Sequence, residues 1–146
     1  MICYACLKRK ANSLEHVIPS FLGGKKKVKV LCHLCNNFFG STIEKNFYTD
    51  CEARKFVILK IALNFYFWKF SHHNSSYKNV DEAVEMLRHL KFKKEIIFSI
   101  KEENLTKDSI LMHQEQKTLY GFINLKIGFF KVILSENFEG KLNEKL

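Results

Sequence analysis

Four of the five cysteines stand in two Cys-x-x-Cys pairs, Cys3/Cys6 and Cys32/Cys35. Each pair lets one turn of backbone present two thiolates to a tetrahedral ion, and two such turns complete a set of four ligands at roughly 2.3 Å. In a reducing compartment such pairs hold metal more often than they form disulfides, so a closed, structural Zn²⁺ site is expected. A four-sulfur site does no hydrolysis itself. It adds folding energy to a segment too small to build its own core. Cys51 is left over and is expected to be a small buried side chain.

The second feature lies between the pairs: the run Ser13-Leu-Glu-His-Val-Ile-Pro-Ser-Phe-Leu-Gly-Gly24, followed by Cys35-Asn36-Asn37-Phe38-Phe39-Gly40. An adjacent Glu-His says little alone. An imidazole titrates near neutrality and suits general-base work, and its setting inside a cysteine-bracketed hairpin makes the combination specific. The combined pattern resembles the HNH endonuclease superfamily (ββα-metal), and within it the four-cysteine subgroup with Glu-His-Val/Ile-Ile-Pro, Leu-Gly-Gly and Cys-x-x-Cys-Asn. The resemblance covers residues 3 to about 46.

The resemblance implies roles by position. His16 matches the general base that activates water against a phosphodiester. Glu15 matches the acidic residue that binds a divalent cation, and Asn36 matches the closing residue that supplies a second ligand, with Asn37 as fallback. Oxygen ligands suit Mg²⁺ or Mn²⁺, which would stabilise charge on the phosphate and the leaving oxygen. Asn36 at the start of a helix would add backbone donors near the phosphate. The family setting implies a role in defence against foreign DNA. Two departures stand out. The family's middle asparagine has no counterpart, since residues 17–35 contain none. In a regular strand, moreover, Glu15 and His16 point to opposite faces, so both serve one site only if the strand ends or distorts there.

The formal net charge is +9, which favours a polyanionic partner. Residues 1–50 carry eight Lys/Arg against three Asp/Glu, so the field is densest on the cysteine-bearing segment. Lys25, Lys26, Lys27 and Lys29 are the candidate phosphate contacts, giving sequence-blind, salt-dependent affinity for nucleic acid, DNA foremost; Lys8, Arg9 and Lys10 are secondary candidates. His33 is expected to be exposed. His72 and His73 follow the long apolar run, where ending a helix is their expected role; His89 and His113 have no partner motif. The aromatics Phe65, Tyr66, Phe67, Trp68 and Phe70 read as core packing. The N-terminus, MICYACLKRK, lacks a long apolar core, and Phe56 to Phe70 is too short and too polar for a membrane span, so a cytoplasmic protein is expected.

These groups must be held by an α+β fold. The spacing predicts a strand over Leu14–Ile18, a turn at Gly23-Gly24, a strand over Lys27–Leu31 and a helix from Asn36 to about Asn46. Together these make a zinc-bound ββα module over residues 1–48. Thr49 with Glu52 fits a capping box opening a central helix whose run Phe56–Phe70 is apolar nearly all round. A polar loop follows over Ser71–Ser76. Asn79 with Glu82 opens a helix striped by Val80, Ala83, Val84, Leu87 and Leu90. Strands are predicted over Glu95–Ile100, Ser109–His113, Thr118–Leu125 and Ile127–Leu134, forming a small antiparallel sheet against the long helix. The tail after Ser135 is expected to fray. Residues 49–146 thus form a helical and antiparallel-β region, packed as one unit with the first, with room for a protein partner or homodimer contact. The favoured function is metal-dependent hydrolysis of nucleic-acid phosphodiesters. The alternative is a non-catalytic zinc module that binds nucleic acid or protein. Convergence of Glu15, His16 and Asn36 on one point favours the enzyme.

Overall fold

The computed structural model describes residues 1–70, 74–91, 108–140 and 142. Strands β1 (Ser13–His16) and β2 (Lys27–Leu31) form a two-stranded antiparallel hairpin. Lys27 and Lys29 point to solvent while Val28, Val30 and Leu31 point inward, the alternation expected of a half-buried strand. Helix α1 (His33–Thr42) follows directly, with a 3-10 turn at Glu44–Asn46. The helix opens earlier than the sequence suggests because Cys32 caps it: its Sγ accepts from the Cys35 backbone N–H. Asn36 therefore sits inside the helix, with its N–H already donated to the Cys32 carbonyl at 3.0 Å, and offers no free backbone donor to a phosphate.

Helix α2 (Cys51–Lys69) is the axis of the fold, buried at twelve positions spread around its circumference. A helix apolar all round must be covered on all sides. The hairpin and α3 (Asp81–His89) meet it, as does an antiparallel sheet in the order β3 (Ser109–Glu115), β4 (Thr118–Leu125), β5 (Gly128–Ser135). Val84, Met86 and Leu87 of α3, Leu119, Ile123 and Leu125 of β4, and Phe130, Val132 and Leu134 of β5 join one continuous core with α2. The cysteine-bearing segment enters that core through Tyr4, whose ring stacks on Phe67 at 4.6 Å and whose hydroxyl donates to Asn64 Oδ1 at 2.7 Å. Such an aromatic pair adds about 0.5–1.5 kcal/mol beyond burial. Arg88 Nε donates to the Ala5 carbonyl, a second tie between the first knuckle and α3.

Several local expectations are corrected. The cap of α2 is Asp50, which accepts from the Glu52 N–H at 2.9 Å, whereas Thr49 turns back to the Asn46 carbonyl. Helix α3 has no side-chain cap, because Val80, which carries no acceptor, holds the capping position, and Asn79 hydrogen-bonds the Tyr66 hydroxyl. Cys51 is exposed, not buried, since it is the first residue of α2. Part of the predicted polar loop is the 3-10 turn Asn74–Asn79. The tail does not fray at Ser135: Phe138 is buried against Tyr66, and Gln114 bonds to the backbone of Gly140 and Leu142. The strand predicted over Glu95–Ile100 lies outside the described residues. No helix among the described residues is long and apolar enough to cross a membrane.

Candidate functional site

The two knuckles bring their four sulfur atoms within 4.8 Å of one another, and Cys6 Sγ and Cys32 Sγ are 4.0 Å apart. Ligands at about 2.3 Å around a tetrahedral ion lie roughly 3.8 Å from each other, so the cluster suits one zinc ion. Cys3 and Cys32 are buried and Cys6 and Cys35 half-buried. The sulfurs also have supporting donors. The Lys8 N–H approaches Cys6 Sγ at 3.5 Å, and the Arg9 guanidinium approaches Cys32 Sγ at 3.2 Å and Cys35 Sγ at 3.7 Å. Burial works against the Cys32 thiolate, but the Cys35 N–H and Arg9 outweigh it and bring its pKa down to about 6. Arg9 is thus turned to the sulfurs as a counter-charge rather than held out for phosphate, a task that its place in a basic run did not reveal.

At the end of the hairpin a cleft of about 380 Å³ is lined by Glu15, His16, Asn36, Gly40, Glu44 and Lys45, with the Pro19–Phe21 turn at its rim. The conflict between Glu15 and His16 is resolved locally. The β1–β2 register shifts between Ser13 and Glu15, and β1 stops at His16, two residues short of the expected end. A bulge re-aims side chains where ladder pairing is interrupted. Glu15 is buried and His16 half-buried, yet both line the same cleft. The His16 ring has no hydrogen-bond partner among the described residues, in keeping with the missing middle asparagine. The turn beyond it depends on glycine. Gly23 has φ +92°, and a Cβ on Gly24 would lie 1.7 Å from the Ile18 carbonyl oxygen, so neither tolerates a side chain.

Asn36 joins Glu15 across the hairpin–helix junction. With its amide oxygen accepting from the Ser13 hydroxyl at 2.8 Å, its nitrogen donates to Glu15 Oε2 at 3.1 Å and Oε1 at 3.3 Å. Behind the carboxylate, Glu15 Oε1 is held by the Lys60 ammonium, with Asn64 Nδ2 at 3.5 Å. Lys60 also reaches Glu44 at 3.5 Å. Burial pushes the Glu15 carboxyl above its ordinary range, and Lys60 pulls it back.

The sequence reading missed Lys60, Asn64, Glu44 and Lys45. The available signal was the polar pair Lys60/Asn64, one helical turn apart in an otherwise apolar run. Removing one partner of a buried ion pair leaves an uncompensated charge, at a cost of about 3–5 kcal/mol. Lys60→Met is therefore expected to destabilise the zinc-loaded protein by that amount in urea unfolding, with Glu15→Gln added to it restoring part of the loss. A cost under about 1 kcal/mol would show the pair to be dispensable.

The remaining candidates are dispersed. Lys25, Lys26, Lys27 and Lys29 are all exposed, but Lys25 and Lys26 border a different cleft, and Lys45 is the lysine that lines the one containing His16. Asn37 and His33 are exposed and do not line the cleft. His89 pairs with Glu85 at 3.1 Å. Tyr66 and Phe67 are core residues as expected, whereas Trp68 is 37% exposed.

Residues 3–51 match the model of a family described as HNH endonuclease, so the N-terminal third of the chain is similar to that family. No curated protein matches the chain. No solved structure matches it.

Proposed function

We propose that the chain is a metal-dependent nuclease, hydrolysing phosphodiester bonds of nucleic acid, DNA foremost. The observation that carries this reading is the shared cleft of Glu15, His16 and Asn36. His16 is the general base: half-exposed, with no hydrogen bond to its ring among the described residues, it takes a proton from water attacking phosphorus. Glu15 and Asn36 are the ligands of a Mg²⁺ or Mn²⁺ ion. Their facing atoms are 3.1 Å apart, and neighbouring ligands of an octahedral ion with bonds of about 2.1 Å lie roughly 3 Å apart. Such an ion requires the Asn36 amide to turn its oxygen toward Glu15. Bound there, it supplies charge stabilisation to the phosphate and leaving oxygen. Lys60 holds Oε1 from behind and leaves Oε2 for the cleft. Cys3, Cys6, Cys32 and Cys35 hold a structural Zn²⁺.

A specific observation favours the rival reading of a non-catalytic binding module: in this structure Glu15 is already neutralised by Lys60 and bonded by Asn36. Incubation of zinc-loaded protein with supercoiled plasmid, and separately with an RNA transcript, decides between them. Nicked or linear product that depends on added Mn²⁺ or Mg²⁺ is expected. Tight binding with no product under either ion would leave only the binding module.

Affinity is expected to fall steeply with salt as lysines displace condensed counterions. Neutralising Lys25, Lys26, Lys27 and Lys29 should flatten the log–log slope by up to about 0.9 for each lysine that meets a phosphate. An unchanged slope in a titration of duplex DNA would place the polyanion on another face.

A further inference from the structure

A second cleft, of about 520 Å³, opens beside the first. The loop between β1 and β2 borders both: Pro19–Phe21 rim the His16 cleft, while Val17, Ile18, Gly23 and Gly24 wall the other. Its floor is apolar, with Phe65 and Trp68 of α2 and Ile110 of β3, and Lys25, Lys26 and Lys126 stand around it. All three lysines are exposed.

Trp68 is the large aromatic residue of α2 that the core does not absorb. Phe65 props it edge-on, with ring centroids 5.7 Å apart, and the Lys26 ammonium lies 4.7 Å above the indole. An aromatic face held at the surface with cations beside it is the arrangement that binds single-stranded nucleic acid, bases on the ring and phosphates on the lysines. One acid, Asp108, shares the lining, with its carboxylate close against Gly23, and it does not reverse the positive balance. Ile18 is two residues from His16, a backbone reach of no more than about 7 Å, so this cleft lies within reach of a strand held at His16.

We propose that the second cleft seats an unpaired base of the substrate strand next to the cut, stacked at Trp68, with Lys25, Lys26 and Lys126 on the flanking phosphates. The inference rests on the nuclease reading and deepens it. The protein acts on strands with locally unpaired bases, and Trp68 reads their presence without reading their sequence. Lys26 leaves the ring for a phosphate as the base takes its place.

The chain has one tryptophan, so its fluorescence reports on this cleft alone. Zinc-loaded protein is titrated at low salt with a fluorescein-labelled oligothymidylate and with the same backbone lacking bases. Binding is read by anisotropy and stacking by quenching of tryptophan emission in parallel titrations with unlabelled oligonucleotide. The expected result is quenching by the oligothymidylate but not by the abasic strand. Trp68→Ala should bind the oligothymidylate about 5- to 150-fold more weakly, and Trp68→Phe should recover most of the loss. Equal quenching by the abasic strand, or binding with emission unchanged, overturns the proposal, as does full affinity in Trp68→Ala. Should Trp68→Ala fail to hold zinc or fold, the two strands on unmodified protein and the Trp68→Phe variant decide. Plasmid cleavage in Mn²⁺ is scored on the same preparation. Cleavage without quenching sinks the base-seating cleft alone, quenching without cleavage sinks the nuclease alone, and neither quenching nor cleavage sinks both.

Discussion

Replacing His16 by Ala is expected to lower plasmid cleavage by about 10²–10⁴-fold, the range for losing a general base. Zinc content, fold and DNA affinity should stay nearly unchanged. The asymmetry follows from where the side chain sits. His16 ends β1, is half-exposed in the cleft, touches none of the four sulfurs, and its ring makes no hydrogen bond among the described residues. Nothing in the core depends on it, so its removal costs chemistry and little else. Asn36→Ala should also impair cleavage, by weakening the hold on the divalent ion, and raised Mn²⁺ should restore part of that rate. The same Mn²⁺ should do nothing for His16→Ala, since no metal concentration replaces a missing proton acceptor. Activity within a few-fold of the unmodified protein would refute the assignment of His16. Unfolding of His16→Ala would instead reveal a structural histidine.

Stripping the zinc, or replacing Cys32 by Ala, is expected to unfold the N-terminal module and strongly weaken the rest. Structural zinc sites contribute apparent binding energies of about 10–16 kcal/mol in isolated fingers, which equals or exceeds the whole stability of a typical domain, about 5–15 kcal/mol. Cys32 matters twice over, as a ligand and as the cap whose sulfur accepts the Cys35 N–H at the start of α1. Without the ion nothing holds the four sulfurs together, and without Cys32 the helix α1, which carries Asn36, loses its anchor. The damage should spread, because Tyr4 ties the first knuckle to Asn64 and Phe67, and Ala5 ties it to Arg88. Cys51→Ala is the matched control: Cys51 is exposed and lies outside the cluster, so zinc and melting should not change. Metal analysis of protein purified without chelator, with circular dichroism before and after chelation, tests this. Protein free of zinc, or one that melts identically after chelation, ends the zinc assignment.

The sequence by itself determined what depends on short spacing. Two residues between paired cysteines, alternating lysine and valine over Lys27–Leu31, and an apolar run over Phe56–Phe70 each dictate local geometry that tertiary contacts then use without changing. The knuckles, hairpin, central helix and terminal sheet were legible for that reason, and so was the candidate base. Boundaries were less so: Cys32 and Asp50 took the capping places where Asn36 and Thr49 were expected, because the bonds actually made decide among competing caps.

Only the tertiary structure decided how the cleft is built. Strand periodicity places Glu15 and His16 on opposite faces, and the shift in β1–β2 pairing that reconciles them is a property of two strands together. Lys60 lies forty-five residues from Glu15 in sequence, on a helix whose other buried positions are nearly all apolar, and no local rule says which carboxylate it will face. The same holds for Trp68. Its neighbours Tyr66 and Phe67 enter the core while it stays at the surface beside Lys26, because the rotation of α2 against the hairpin and sheet, not the composition of the run, selects which aromatic ring is left exposed.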